Sequence, residues 1–136
     1  MESYQFIENP LAESKSISKS VLKSLKMTSA QRGLWAETVV RQFLIQKKWS
    51  ILACREKYKF GEIDLIVGRK KNIAIVEVKY LNSEWMAFQR IDEKQILRLK
   101  KNYIYLSESE FKDKNVKLFL CFVKQDLKIN WINLFE

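Results

Sequence analysis

The stretch Gly61-Glu62-Ile63-Asp64-Leu65-Ile66-Val67-Gly68, followed after a basic turn by Ile73-Ala74-Ile75-Val76-Glu77-Val78-Lys79, decides how the chain is read. Apolar runs of this length bounded by turn residues predict two β-strands. Gly68 is expected to end the first, with Arg69, Lys70, Lys71 and Asn72 in the connection. Side chains alternate across a strand. Glu62 and Asp64 therefore share one face and Ile63 and Leu65 the other, while Glu77 and Lys79 lie opposite Val76 and Val78. A strand otherwise made of Ile, Ala and Val is expected to be central and buried, which makes Glu77 and Lys79 anomalous. Burying a carboxylate or an ammonium is costly unless each is paired or coordinated. Two readings follow. Glu77 and Lys79 form a structural ion pair or sit on a solvated hairpin face, or Asp64 and Glu77 converge on one hard cation, which takes carboxylate oxygens.

Composition narrows the chemistry. The chain has 136 residues, enough for one domain with a real core, and a net charge of +9. That excess suits an anionic partner, nucleic acid before an anionic membrane, and is also compatible with plain solubility. There is no histidine, so histidine general bases, Ser-His-Asp and Cys-His nucleophilic pairs and histidine-containing zinc sites are excluded. Cys54 and Cys121 stand apart in apolar runs and read as buried free thiols. No apolar run approaches the ~18–20 residues of a membrane span, and the N-terminus lacks the apolar core of a signal peptide. The expected compartment is a reducing cytoplasm, with no membrane association.

Outward from the central stretch, Thr28 or Ser29 can cap a helix that carries Leu34, Val39, Val40, Phe43 and Leu44 as its apolar stripe and ends near Lys47 or Lys48. Glu37 borders that stripe, and Arg41 is placed to pair with it at i+4. Trp49 to Tyr58 reads as a first strand, with Trp49, Ile51 and Ala53 one way and Leu52 and Cys54 the other. After Lys79, Tyr80 to Phe88 reads as a loop. Ile91 to Leu106 reads as a second helix with Ile96, Leu99, Tyr103 and Leu106 as its stripe, Leu97 and Ile104 beside it, and a basic face containing Lys94, Arg98 and Lys101. Strands over Val116–Lys124 and Leu127–Phe135 close the chain, joined by Lys124-Gln125-Asp126. Residues 1–27 differ in character, holding the only proline and a Ser/Lys-rich run. They are expected to be a flexible extension or a short amphipathic helix, with 28–136 as the domain and Met27 as a candidate start. The resulting class is α/β: a mixed sheet flanked by helices, in the order helix, three strands, helix, two strands.

Gly61-Glu62-Ile63-Asp64-Leu65-Ile66 with Val76-Glu77-Val78-Lys79, and upstream Gly33-Leu34-Trp35-Ala36-Glu37, resembles the YraN-like proteins of the restriction-endonuclease-like, PD-(D/E)xK nuclease superfamily. The resemblance covers roughly Ala30 to Leu106. It implies a restriction-endonuclease-like core and a metal site to which the Val78 backbone carbonyl adds a ligand. It also implies that Glu37 reaches the same site, and Lys94 matches a lysine the family usually carries. The chain departs from the family pattern at Tyr80-Leu81, where an Arg is usual, at Phe88-Gln89 in place of Phe-Gly, and at Lys117-Leu118-Phe119 in place of Arg-Phe-Asp.

The expected chemistry is Mg²⁺- or Mn²⁺-dependent phosphodiester hydrolysis, in DNA repair or recombination. Asp64 and Glu77 hold the ion, Lys79 orients or helps deprotonate a water, and Glu37 and Glu62 assist. The substrate is expected to be nucleic acid, DNA ahead of RNA. Lys57, Lys59, Arg69, Lys70, Lys71, Lys94, Arg98 and Lys101 are the candidate phosphate contacts. The alternatives are a nucleic-acid-binding protein that keeps the fold without turnover, and a basic scaffold whose acidic cluster is structural.

Overall fold

The structure, a computed structural model, describes residues 27–81 and 92–135. The expected N-terminal extension up to residue 26, the expected loop from residue 82 onward with Phe88-Gln89, and the expected helix start at Ile91 lie outside the described residues. Seven elements follow one another: α1 (Ser29–Gln46), β1 (Ser50–Tyr58), β2 (Gly61–Arg69), β3 (Asn72–Leu81), α2 (Glu93–Glu108), β4 (Asn115–Lys124) and β5 (Ile129–Asn133). The order expected of a restriction-endonuclease-like core is therefore present. No helix among the described residues is long and apolar enough to cross a membrane.

The strands form one sheet in the order β1-β2-β3-β4-β5. Neighbours are antiparallel except β3 and β4, which are parallel and run in register from Asn72↔Asn115 to Leu81↔Lys124. A parallel pair needs a crossover, and α2 lies on it. Parallel strands covered on both faces read as continuous apolar runs, and from Ile73 to Leu81 only Lys79 is not buried.

One face of the sheet carries α1. Its Val39, Val40, Phe43 and Leu44 pack on Leu65, Val67, Val76 and Val78, with Phe119, Cys121 and Trp131 from the far strands. Each such side chain taken wholly out of water contributes about 1.5–3 kcal/mol. The start of α1 is fixed by a capping box: Gln31 N–H donates to Thr28 Oγ1 at 3.1 Å and Thr28 N–H to Gln31 Oε1 at 2.8 Å. The other face carries α2, whose Leu99 and Leu106 pack with Ile63, Ile66, Ile75 and Leu118. Cys54 and Cys121 are both free thiols, and burial pushes that of Cys121 up.

Several boundaries differ from the sequence expectation. β2 runs one residue past Gly68, and Arg69 pairs with Asn72, so the turn is Lys70-Lys71 alone, with Lys70 at φ 57°. In β1 the register shifts between Ile51 and Ala53. The bulge reverses the alternation: Ile51 and Cys54 pack on the α1 side and Ala53 on the α2 side. Tyr80 and Leu81, expected in a loop, belong to β3 because β4 continues to pair with them. Leu127 has φ 72°, which an extended strand does not permit, so β5 starts only at Ile129. The stripe of α2 is also rotated. Its buried residues are Leu99, Asn102 and Leu106, while Leu97 and Ile104 are about half exposed.

Candidate active site

The site arises where the sheet forks. The β2–β3 ladder ends at Leu65↔Val76, although the same register would set Asp64 opposite Glu77. β1 and β2 stay paired down to Tyr58↔Gly61, and β3 stays paired with β4 up to Leu81↔Lys124. The hairpin thus peels away from the parallel pair one residue before the two carboxylates. Val78 N–H, which a continuing ladder would use, donates instead to Asp64 Oδ2 at 2.9 Å. This backbone donor fixes the Asp64 carboxylate at the root of the fork. The fork also divides Ile63 from Leu65: Ile63 joins the α2-side core and Leu65 the α1-side core, contrary to the shared face expected.

A cavity of about 270 Å³ opens in the fork, lined by Glu62, Asp64, Glu77, Gln95, Arg98 and Asn102 together with Phe60, Gly61 and Leu99. Glu77 is 4% exposed. Its pKa is pushed up to about 8, first by burial and next by the Asp64 charge beside it, against the lowering effect of Lys79. Lys79 Nζ stands 3.4 Å from Glu77 Oε2 and donates to Gln95 Oε1 at 2.9 Å. Gln95 Nε2 in turn donates to Glu77 Oε2. Asp64, Glu77 and Lys79 are therefore brought together as expected, with the fourth member, Gln95, supplied by α2.

Gln95 and Asn102 escaped the sequence reading, which singled out only the apolar stripe and the basic face of this helix. Their signal is the spacing of 95, 99, 102 and 106, which runs along one helical stripe. Asn102, 1% exposed, accepts from Phe60 N–H at 3.0 Å and donates to Gly61 carbonyl at 3.2 Å. It pins the β1–β2 turn, where Gly61 holds φ 125°, as part of the cavity wall.

Glu62 lines the cavity from an exposed position. Glu37 does not pair with Arg41 as the helical spacing suggested. Its Oε1 lies 3.5 Å from Arg55 Nε on β1, and Arg41 donates to Thr38 Oγ1 instead. Burial raises the Glu37 pKa, Asp64 and Glu62 raise it further, and Arg55 and Arg41 oppose them. Glu37 thus feels the site's field without lining the cavity. The basic residues divide into two groups. Arg98 lines the cavity, Lys59 and Lys101 lie over the Phe60 ring of its wall, Lys94 precedes Gln95, and Lys57 pairs with Glu62 in the β1–β2 ladder. Arg69, Lys70 and Lys71 sit at the opposite end of β2. There Arg69 donates to the Lys47 carbonyl at 3.0 Å and stacks 4.7 Å from the Trp49 ring, a structural engagement.

Among the described residues no group of three or more His, Cys, Asp or Glu side chains is arranged to hold a metal. Two adjacent carboxylates are still a sufficient protein contribution for Mg²⁺, which keeps several waters and uses one or two carboxylates plus substrate oxygens. Burial first, and the Asp64 charge second, disfavour the ionised form of Glu77, and a cation beside the pair would favour it. The donor set and its charge fit a hard divalent cation.

Comparison with known sequences supplies the family. The model of "Uncharacterised protein family UPF0102" matches residues 36–123, which include both arms of the fork and α2. A UPF0102 protein of Fusobacterium nucleatum is 30% identical over 95 residues, covering 67% of this chain and 78% of that protein. One from Campylobacter lari is 30% identical over 98 residues, covering 71% and 88%. One from Shewanella oneidensis is 29% identical over 102 residues, covering 74% and 94%. With the forked sheet and its acidic pair inside the matched span, the chain belongs to the UPF0102 family, that of the YraN-like proteins.

Proposed function

We propose that the protein is a metal-dependent nuclease hydrolysing phosphodiester bonds of nucleic acid, DNA ahead of RNA. The observation that carries this reading is the fork. Strand pairing is given up at the one place where two carboxylates face each other, and one of them is buried with a pKa near 8. A fold gains nothing in stability from such crowding, so a ligand that relieves it is the economical explanation. Asp64 and Glu77 would hold Mg²⁺ or Mn²⁺, with the Val78 carbonyl as a further donor. The ion, when bound, supplies a water of lowered pKa and offsets phosphate charge. Lys79 stands on the same strand face as Glu77, where its ammonium can orient a water and balance charge at the scissile phosphate. Arg98, at the cavity wall, can hold a neighbouring phosphate. None of these roles requires histidine. The site lies at the end of the molecule where the Lys57, Lys59 and Lys101 charges gather.

A second reading is a nucleic-acid-binding protein without turnover. It is favoured by the closed chain Lys79–Gln95–Glu77, which occupies the lysine and one carboxylate in each other's service. Incubating the protein with labelled linear and branched nucleic acids and Mn²⁺, with Asp64→Asn as control, decides between them. Cleavage lost in the Asp64 variant supports the nuclease. Binding without cleavage across the panel supports the second reading.

A further inference from the structure

Phe60 separates two cavities. Its inner side faces the fork, and its outer side forms a notch of about 310 Å³ with Lys101, Ile104, Tyr105 and Glu108. Tyr105 and Ile104 are 41% and 49% exposed. The Phe60 and Tyr105 rings meet edge to face at 6.4 Å and 80°, so the two walls of the notch offer perpendicular aromatic surfaces. Cations cap them: Lys59 Nζ is 4.9 Å from the Tyr105 centroid and 5.6 Å from that of Phe60, and Lys101 Nζ is 5.9 Å from Phe60. The walls are held in place, because Asn102 fixes the backbone on both sides of the Phe60–Gly61 bond and Tyr105 stands on a helix.

We propose that this notch is a stacking platform for an unpaired nucleobase, on a strand whose backbone continues past Phe60 into the carboxylate cavity. The proposal rests on the nuclease-site reading for the inner cavity and adds the substrate class: single-stranded or branched nucleic acid with an unstacked nucleotide beside the site. Three observations converge. Tyr105 is exposed and Phe60 half-buried, and such rings take bases of any sequence when the lysines over them turn to the backbone phosphates. The surrounding Lys59, Lys101 and Arg98 complement phosphate. The shared Phe60 wall makes the notch continuous with the acidic fork. A base inside a closed duplex hides both its faces between neighbours, so only an unstacked base can reach such a wall.

The test is binding of the full chain, in chelator and at low salt, to three labelled probes: an oligothymidine strand, an abasic strand of equal length and a blunt duplex. Tyr105→Ala is expected to weaken oligothymidine binding roughly tenfold, and to change the other two less than about twofold. Tyr105→Phe, which keeps the ring, is expected to bind like the natural protein. Tyr105→Leu, which keeps bulk without a flat face, serves if the alanine variant melts early and is expected to lose the same selectivity. Equal losses on all three probes, or no loss on any, would overturn the platform. A parallel incubation of the same probes with Mn²⁺ reads cleavage: Tyr105-dependent strand binding with no cleavage there sustains the platform and removes the nuclease. Cleavage of blunt duplex with strand binding indifferent to Tyr105 sustains the nuclease and removes the platform. Absence of binding to every probe removes both.

Discussion

At the scale of single residues, Glu77 carries the sharpest consequences. Its folded pKa of about 8 lies above the ordinary carboxyl value of 4.5. The folded state therefore binds a proton that the unfolded chain releases. The stabilisation is complete below about 4.5 and is lost as pH rises through about 8, with a limiting slope of about 1.4 kcal/mol per pH unit. Melts in chelator should show this decline, and Glu77→Gln should flatten it. A metal-free melting temperature that rises steadily over this window would contradict the assignment. If the Lys79–Glu77 contact were a structural pair, removing either partner would cost about 3–5 kcal/mol. The crowded-carboxylate reading gives the opposite pattern. Asp64→Asn or Glu77→Gln should leave the metal-free melting temperature unchanged or raised, and abolish any upward shift on adding Mn²⁺. Lys79→Met should keep the Mn²⁺ shift and lose cleavage. Unfolding of both acidic variants, together with a natural protein that Mn²⁺ never shifts, would make the cluster structural.

At the scale of elements, the site depends on α2 as much as on the two strands. The helix presents Gln95, Leu99, Asn102 and Leu106 to the sheet, two amides interleaved with two leucines. Asn102 satisfies a donor and an acceptor of the β1–β2 turn at once. Asn102→Ala should strand both and cost about 1–3 kcal/mol for each group left unsatisfied in the interior. The measurable result is a melting temperature lower by several degrees. An unchanged melting temperature would mean that the turn does not rely on this anchor. Gln95 bridges Lys79 and Glu77 from the first turn of the same helix, so small shifts of α2 are transmitted directly to the candidate catalytic pair.

At the scale of the whole molecule, charge is sorted by position. If nucleic acid docks at the fork, its affinity should fall with salt at a log–log slope near −0.9 per phosphate neutralised on a duplex and about −0.7 on a single strand. Lys59→Ala, Arg98→Ala and Lys101→Ala should each flatten that slope by about one unit, whereas Lys70→Ala and Lys71→Ala, at the far end of β2, should not. Equal effects at both ends would argue for diffuse attraction. The same view shows how far the chain could be read before it folded. Element types and their order were legible because periodicity is a local property: Gly61 to Lys79 alternates as strands, and Thr28-x-x-Gln31 announces a helix start. Asp64, Glu77 and Lys79 stood out because charge in an apolar run is conspicuous wherever the run ends up. The bulge after Ile51, the continuation of β3 through Leu81 and the Arg55 partner of Glu37 were set by neighbours distant in sequence, which no local pattern reports. The recruitment of Gln95 and Asn102 belongs with them. An amide reads as surface until a backbone that has left its own ladder comes within hydrogen-bonding reach. Only the folded sheet, by forking at Leu65↔Val76, brings that about.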